Sequence, residues 1–369
     1  MRRLTVVQLL PALHSGGVER STLEIAAALA AGGHRSVVVS AGGRLVAPLL
    51  AAGSEHITLA IGRKSLRAFA TMRHLRAELA VLRPDIVHAR SRLPAWLGWL
   101  ALRGLPAPRP HFVTTVHGMN SPGRYSGVMR RGETVICVSA SVRAHVLRHW
   151  PDTDPARLRV IPRGIDPEAF PRGFQASDQW RRAFARDLPE LQGGRLLLLP
   201  GRGTRLKGHA DAIRLLAALR AAGEDARLWL LGAREPGREA YVAELEALAS
   251  ERGVRAVLAI SAPRSDVREA YSVADLVLQL SRQPEAFGRT VLEALAIGRP
   301  VLGWDHGGVG ELLAELYPAG AVPLAQETAL ASAARALLSA PPAMPVTIPY
   351  LLAAMQSATL DAYDRLIAD

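Results

Sequence analysis

The chain of 369 residues contains a single cysteine, Cys137, and only two lysines among its 45 basic residues. With one cysteine no disulfide framework is possible, and because Cys137 lies in an apolar run, we expect an inert buried thiol and the reducing cytoplasm as the compartment. No apolar run approaches the roughly 20 residues that a membrane-spanning helix needs. The breakers Pro11 and Gly16 follow the first apolar run so closely that we expect no signal peptide.

The basic residues are concentrated in the first half of the chain. Residues 1–170 contain 23 Arg and Lys against 10 Asp and Glu, whereas residues 171–369 contain 22 against 23. A basic surface can bind nucleic acid, anionic lipid headgroups or a phosphorylated glycan. The chain has no helix-turn-helix pattern, zinc-finger spacing or interleaved aromatic and basic residues. We therefore expect no nucleic-acid partner, and a membrane surface or a phosphorylated ligand is favoured.

Short apolar runs, separated by amphipathic stretches of helical period, form two successive series along the chain. The first series ends at Val138 and the second begins at Arg195. Buried strands that alternate with helices are typical of a parallel α/β sheet, so we predict two such domains, over residues 1–168 and 169–345. A proline-rich stretch then predicts a linker to a last helical segment, residues 346–369.

The stretch from Pro284 to Val301 places two carboxylates, Glu285 and Glu293, eight positions apart around the predicted start of an apolar helix. The amides of a helix N-terminus bind anions, and carboxylates beside it accept hydrogen bonds from hydroxyls. This arrangement suits a ligand that is both phosphorylated and hydroxylated, such as a nucleotide sugar. The spacing of Thr290 and Glu293 also fits a capping box, in which Glu293 would serve only its own helix.

A second cluster, GRGTRLKGH, runs from Gly201 to His209 between a predicted strand and a predicted helix. A strand followed by a glycine-rich turn and a helix is a phosphate-binding context. Lys207 stands out in a chain that uses arginine almost everywhere else, which indicates a steric or chemical requirement for lysine. The alternative for Lys207 is a solvated surface charge.

In their order and spacing, these motifs resemble those of the retaining glycosyltransferases of family 4. The resemblance extends through nearly the whole chain and is carried by Gly16-Gly17, His117-Gly118, Ile161 to Asp166, Gly201 to Gly208, Glu285, Glu293 and Gly307-Gly308. It implies the GT-B fold, in which two doubly wound, Rossmann-like α/β domains face each other across a cleft. It also implies that the C-terminal helix crosses back to the first domain.

The resemblance also implies the roles of individual residues. The implied catalytic residues are His117, Arg202, Lys207 and Glu285. The implied donor-binding residues are Gly16, Gly17, Arg202, Lys207, Glu285, Phe287, Gly288, Arg289, Thr290 and Glu293. The basic pair would hold the donor diphosphate, Glu285 would contact the transferred sugar and Glu293 would bind the ribose. Taken alone, a lone histidine is more often structural, and a double glycine can serve only a tight turn.

No pair of aspartates has convincing metal-ligand spacing, so we predict a reaction without a metal or another cofactor. The guanidinium of Arg202 and the ammonium of Lys207 can neutralise a leaving phosphate in the way that a metal ion does elsewhere. Because UDP-sugars are frequent in the family, a UDP-hexose is the favoured donor. The alternatives are a nucleotide-sugar epimerase on a similar scaffold and a catalytically silent protein that binds a sugar nucleotide or a glycan.

The acceptor is predicted to bind basic residues of the first domain. The candidates are Arg63, Lys64, Arg90, Arg92 and Arg124. Each of them, taken singly, fits a solvated basic surface equally well. Together with the excess of positive charge, they favour a phosphorylated or lipid-linked glycan, such as a lipopolysaccharide core. The expected location is the cytoplasmic face of a bacterial inner membrane, to which the protein would bind peripherally.

Overall fold

The structure, a computed structural model, describes residues 2–14, 16–63 and 68–368. The chain divides into two compact units. Met1–Gly164 and Leu352–Asp369 form the first unit, and Ile165–Leu351 form the second. The boundaries predicted after residues 168 and 345 differ from these points by four and six residues.

The first unit contains a seven-stranded sheet in which every pairing is parallel. Its strands are β1 (Thr5–Leu9), β2 (Arg35–Ser40), β3 (Glu55–Thr58), β4 (Ile86–Ala89), β5 (His111–Val116), β6 (Thr134–Cys137) and β7 (Leu158–Val160). They lie in the order β3-β2-β1-β4-β5-β6-β7. This is the order of a doubly wound Rossmann sheet with one strand added. Cys137 is buried in β6, where burial raises the pKa of its thiol to about 12.

The helices of the first unit that precede its last strand are α1 (Gly17–Ala31), α2 (Val46–Ala51), α3 (Ala68–Leu82), α4 (Arg92–Arg103) and α5 (Ala140–His149). Small residues let α4 lie close to the sheet. Ala95 and Ala101 are fully buried, and a Cβ atom added at Gly98 would lie 2.7 Å from Leu9 Cδ1. The helix α4 is therefore packed on the core of the first unit.

The second unit contains a six-stranded sheet, again with every pairing parallel. Its strands are β8 (Arg195–Pro200), β9 (Ala226–Leu231), β10 (Leu258–Ser261), β11 (Leu276–Gln279), β12 (Val301–Trp304) and β13 (Ala321–Val322). The order β10-β9-β8-β11-β12-β13 repeats the Rossmann order of the first sheet. The prediction of two doubly wound parallel sheets is therefore confirmed.

The helices of the second unit are α6 (Asp178–Asp187), α7 (His209–Ala221), α8 (Glu239–Glu251), α9 (Val267–Val273), α10 (Arg289–Ile297), α11 (Gly307–Leu316) and α12 (Glu327–Ser339). Of these, α10 has the most completely buried body, because every residue from Val291 to Ile297 is buried. Glycines with positive φ, Gly288 and Gly298, flank it at its two ends. The helix therefore begins where the sequence predicts it, and a glycine with positive φ ends it.

The last helix, α13 (Leu352–Ala368), belongs to the first unit. Its Met355 and Tyr363 join a buried cluster that includes Leu4, Val6 and Ile25. The prediction that the C-terminal helix returns to the first domain is confirmed. Across residues 2–14, 16–63 and 68–368, no helix combines the length and the apolar character that crossing a bilayer requires.

A cavity of about 640 Å³ opens in the first unit at the amino ends of β1, β4 and β5. Arg2, Arg83, Arg109 and His111 are among its lining residues. Parallel α/β sheets bind their ligands at the opposite, carboxyl edge, and none of the predicted site residues lines this cavity. The cavity is therefore separate from the predicted site.

The hydroxyl of Tyr363 connects α13 to the sheet through buried polar groups. It lies 2.6 Å from His88 Nδ1, and His88 Nε2 lies 2.6 Å from the Thr115 hydroxyl. Burial lowers the pKa of His88 well below its ordinary value, assisted by the charges of Arg90 and Arg163. A neutral imidazole thus bridges two hydroxyls inside the core.

We expect Tyr363→Phe to lower the free energy of unfolding by about 1–3 kcal/mol, because it leaves a buried imidazole nitrogen without its partner. Urea denaturation of the full chain measures the change. Tyr350→Phe is the control, since Tyr350 donates to Glu315 near the surface, where water can replace the lost bond. Equal effects of the two substitutions would contradict the buried role of Tyr363.

Candidate functional site

Two loops at the carboxyl edge of the second sheet, one after β8 and one after β11, are held against each other. The backbone N–H of Arg282 donates to the carbonyl oxygen of Leu206 at 2.8 Å. Gly208 makes the closest approach, because a Cβ atom added there would lie 1.9 Å from the carbonyl oxygen of Leu280. The strand order reverses between β8 and β11, and doubly wound sheets bind their ligands at such a reversal.

Lys207 and Glu285 form an ion pair where these loops meet. Lys207 Nζ lies 2.5 Å from Glu285 Oε1, and the two side chains are 27% and 24% exposed. The Ser281 hydroxyl lies between two acceptors, Glu285 Oε1 and Gln279 Oε1, the second at 2.9 Å. An ammonium from one loop and a carboxylate from the other are thus fixed side by side.

The surroundings of Glu285 favour its ionised form. Burial raises the pKa of this carboxyl, but the charge of Lys207 and hydrogen bonds from Lys207 and Ser281 outweigh burial, so the pKa lies below its ordinary value. Glu285 is therefore a carboxylate at neutral pH. Its contribution to stability is present above the ordinary carboxyl pKa and is lost as the pH falls through the lowered value.

The backbone around Glu285 is fixed by the start of α11. The Glu285 carbonyl oxygen accepts a hydrogen bond from the Gly308 N–H at 2.7 Å. Added Cβ atoms at Gly307 and Gly308 would lie 2.7 Å from the Glu285 carbonyl oxygen and 2.5 Å from Phe287 Cα. The double glycine therefore lets the loop before α10 lie directly on α11. Gly288, with φ of +118°, then turns the chain into α10.

Glu293 lies inside α10 and accepts a hydrogen bond from the Tyr271 hydroxyl of α9 at 2.9 Å. Its exposure is only 9%. The helix begins at Arg289, so Thr290 is already a helical residue and the residue that precedes the helix is Gly288. The capping-box alternative is therefore wrong, because a capping threonine has to precede the helix. Glu293 is held by a neighbouring helix instead.

The other donor residues predicted in the second unit are placed around this centre. Arg202 is exposed, and its side chain has no hydrogen-bond or ion-pair partner in the part of the chain that the structure describes. The side chain of Phe287 is buried and packs edge-on against Tyr350, with ring centroids 5.8 Å apart. Only the backbone of Phe287 is therefore placed to serve a ligand. The amides of Arg289 and Thr290 belong to the first turn of α10.

The residues predicted in the first unit lie at the carboxyl edge of its own sheet. His117 directly follows β5 and is half-buried. Gly16, with φ of +137°, precedes α1, which begins at Gly17. A Cβ atom added at Gly17 would have no neighbour within 4 Å among the described residues. Packing of the described chain therefore does not require glycine at position 17.

The predicted acceptor arginines differ in their surroundings. Arg63 and Arg124 are exposed. Arg92 reaches the hydroxyl of Ser126 at 3.4 Å. Lys64 lies outside the described residues.

Arg90 is a correction to the predicted set. It is only 2% exposed. Its Nε donates to Gln8 Oε1 at 2.6 Å, and its Nη1 donates to the Ser21 hydroxyl at 3.3 Å. A guanidinium held in the interior by β1 and α1 does not fit the predicted contact with an acceptor at the surface. Its position instead indicates a role in positioning the start of α1.

Three residues that support the predicted carboxylates were not identified from the sequence. Ser281 contacts Glu285, Gln279 contacts Ser281, and Tyr271 contacts Glu293. Gln279 and Ser281 stand at the carboxyl end of a predicted buried strand, where polar side chains often contact ligands, so a signal existed for them. Tyr271 lies on a helix that the apolar pattern did not reveal, and nothing in the sequence connects it to Glu293.

Among residues 2–14, 16–63 and 68–368, no three His, Cys, Asp or Glu side chains are grouped as a metal ion would require. The reaction without a metal or another cofactor stays a prediction.

These features define a two-domain α/β protein of the Rossmann class, with an ammonium–carboxylate pair at the carboxyl edge of its second sheet. Residues 15–169 match the model of Glycosyltransferase Family 4, and residues 181–348 match the model of Glycosyl transferases group 1. The two matches together cover most of the chain, which belongs to glycosyltransferase family 4.

The D-inositol 3-phosphate glycosyltransferase of Xylanimonas cellulosilytica is 31% identical over 240 residues, which are 61% of this chain and 56% of that protein. The chain thus spans just over half the length of this curated relative. A glycosyltransferase from Rickettsia africae superposes with a TM-score of 0.86 at 25% identity, over 100% of this chain and 99% of that one. Anabaena HepE in complex with UDP-glucose has a TM-score of 0.77 at 18% identity, over 98% and 100% of the two chains.

Proposed function

We propose that the protein is a retaining glycosyltransferase that moves a hexose from a nucleoside diphosphate sugar, with UDP-hexose favoured, to a phosphorylated or lipid-linked glycan. The observation that carries this proposal is the Lys207–Glu285 pair, which lies between two loops beside the N-terminus of α10. Membership of glycosyltransferase family 4 supports it. A protein of the same fold, Anabaena HepE, forms a complex with UDP-glucose.

The leaving diphosphate is the part of the donor that needs positive charge. As the bond between the sugar and the phosphate breaks, negative charge grows on the phosphate oxygen, and donors placed there in advance lower the barrier. Lys207 and the exposed Arg202 lie in the same loop after β8. The amides of the first turn of α10 add further donors. These groups would replace a metal ion.

The carboxylates suit the hydroxylated parts of the donor. Glu285, ionised and fixed by Ser281, would accept hydrogen bonds from hydroxyls of the hexose. Glu293, oriented by Tyr271, would do the same for the ribose. When the anomeric configuration is retained, the acceptor oxygen bonds to the sugar carbon on the same face from which the phosphate departs. The acceptor proton passes to the leaving phosphate, so no second carboxylate is needed as a nucleophile or acid. The role of His117 beside the reacting sugar is part of the same proposal.

The acceptor is assigned to the basic surface of the first unit. Arg63, Arg92 and Arg124 lie on it. The guanidinium carbons of Arg103 and Arg131 lie 4.8 Å and 4.4 Å from the ring centroid of Trp99 in α4. A phosphorylated glycan fits this charge, and a relative of the chain is named for a phosphorylated polyol, D-inositol 3-phosphate. A lipid-linked acceptor would bring the same surface to the cytoplasmic face of a membrane.

The test is to incubate the purified protein with UDP-, GDP- and ADP-hexoses and to measure binding and slow release of the nucleoside diphosphate, with and without a metal chelator. We expect one UDP-hexose to bind and to be hydrolysed slowly, whether or not the chelator is present. Phosphorylated and dephosphorylated forms of one glycan are then compared as acceptors, and NMR gives the anomeric configuration of the product.

Four results would each remove part of this proposal. Failure of every nucleotide sugar to bind would exclude the transferase. Loss of turnover with the chelator would exclude a metal-free reaction, and an inverted anomer would exclude retention. Equal transfer to both forms of the glycan would exclude recognition of its phosphate.

A further inference from the structure

Lys207 serves two partners if the proposed function holds. Its ammonium lies 2.5 Å from Glu285 Oε1, within the range of a charge-assisted hydrogen bond. The same ammonium is assigned to the donor diphosphate. A diphosphate that draws Lys207 to itself must therefore compete with the Glu285 carboxylate, and it must also approach that negative charge.

Glu285 does not depend on Lys207 alone for its position. The Ser281 hydroxyl also contacts Glu285 Oε1. Ser281 is itself fixed on both sides, because its backbone N–H donates to Gln279 Oε1 at 3.2 Å and its carbonyl oxygen lies 2.7 Å from His306 Nε2. When Lys207 moves to a phosphate, Ser281 can keep the carboxylate in place.

We propose that Glu285 makes the site discriminate between a diphosphate that carries a sugar and the bare diphosphate left after transfer, with Ser281 as the residue that positions it. This inference rests on the proposed function. The diphosphate of a sugar nucleotide competes with Glu285 for Lys207, but the hexose hydroxyls donate hydrogen bonds to Glu285 and compensate for this loss of affinity. The bare nucleoside diphosphate has no hexose hydroxyls, so its affinity is lowered by the competition without compensation. Glu285 thus weakens product binding and favours product release, which limits turnover in many enzymes.

Glu285→Gln is the substitution that separates the effect of Glu285 on binding of the bare diphosphate from its effect on binding of the sugar nucleotide. The amide keeps the shape and an oxygen for Ser281, but it has no charge with which to hold Lys207. We expect the variant to bind the bare nucleoside diphosphate more tightly by roughly tenfold, as expected for loss of one competing charged hydrogen bond. We expect it to bind the sugar nucleotide no more tightly than the native protein does. In a Lys207→Ala background, adding Glu285→Gln is expected to give no gain in affinity for the bare nucleoside diphosphate.

Ser281→Ala tests the positioning role. It leaves the Lys207–Glu285 pair intact, so the affinity for the bare diphosphate should stay within about twofold, whereas KM for the sugar nucleotide should rise several-fold. Ser281→Thr keeps the hydroxyl and should restore KM. Glu244→Gln is the matched control, because it also removes one carboxylate that pairs with a basic residue of the same loop, Arg205, at 2.6 Å. It should change neither affinity.

Calorimetric titration with UDP, GDP and ADP, and with the sugar nucleotide that the native protein binds best, provides the measurements. If the native protein binds none of these, the proposed function fails and this inference fails with it. If the native protein binds one but Glu285→Gln binds the bare diphosphate equally or more weakly, only the inference about Glu285 is overturned. A gain that persists in the Lys207→Ala background would overturn competition for Lys207. Failure of Ser281→Thr to restore KM would overturn the role of Ser281.

Discussion

Lys207→Ala is expected to reduce turnover of the donor by about 10² to 10³, the usual effect of removing one donor that stabilises a developing oxyanion. Lys207 is the residue that the loop after β8 brings to the centre of the site, where it contacts a carboxylate from the loop after β11. Because charge on the leaving phosphate develops mainly in the transition state, kcat should fall more than KM rises. Release of the nucleoside diphosphate, followed at saturating donor, measures the effect.

The control for this prediction is Arg205→Ala. Arg205 lies in the same loop, but its side chain is 72% exposed and pairs with Glu244 of α8. Removing it changes the charge of the loop by the same amount without touching the Lys207–Glu285 pair, so turnover should stay within a factor of two or so, as is usual for exposed pairs. If Lys207→Ala retains at least about a third of native turnover, its assignment to the leaving phosphate is wrong, since one such donor normally contributes far more.

The sequence predicts most of the fold because a parallel sheet covered on both faces requires uninterrupted apolar strands. Strands such as β8, which reads RLLLLP, and β12 are recognisable for this reason. The elements that the pattern did not reveal lack this signal. The strand β7 has three residues, of which two are exposed. The helix α6 contains no fully buried residue, so its polar sequence resembles that of a loop.

The edge strand β3 shows a second reason for error. The apolar run from Ile57 to Ile61 predicts the strand, but the strand is Glu55–Thr58, and its residues are exposed or half-buried. At an edge, backbone pairing with β2 determines the strand, with Val37 opposite Glu55. Ile61 is fully buried but lies beyond the strand. At this edge of the sheet, the apolar residues therefore indicate which side chains are buried and do not indicate which residues pair as a strand.

The site was predicted to the extent that local spacing defines it. Glu285 and Lys207 each stand beside glycines that mark a strand-to-helix turn, and those turns are local features of the sequence. Their contact across 78 positions, and the support from Gln279 and Ser281, depend on the packing of two loops. The burial of Arg90 has the same origin, because a sequence cannot show that Gln8 and Ser21 will surround it.

Gly208→Ala is expected to damage both the second unit and its site. Gly208 has φ of +74° and an added Cβ atom would lie 1.9 Å from the carbonyl oxygen of Leu280. The obstacle is backbone, so no side-chain rotation can relieve it. The loops after β8 and β11 would have to separate. Because Gly208 follows Lys207 and Leu280 precedes Ser281, such a separation would also break the Lys207–Glu285 pair and weaken donor binding.

Gly223→Ala is the control that separates the steric clash at Gly208 from the strain of a positive φ. Gly223 has φ of +86°, and an added Cβ atom would have no neighbour within 4 Å among the described residues. Both variants therefore bear the cost of an alanine in the left-handed region, about 1 kcal/mol, and only Gly208→Ala also meets the backbone. We expect Gly208→Ala to lower the free energy of unfolding by about 2–4 kcal/mol more than Gly223→Ala in urea denaturation. Equal stabilities would show that the two loops are not in the close contact on which the ion pair depends.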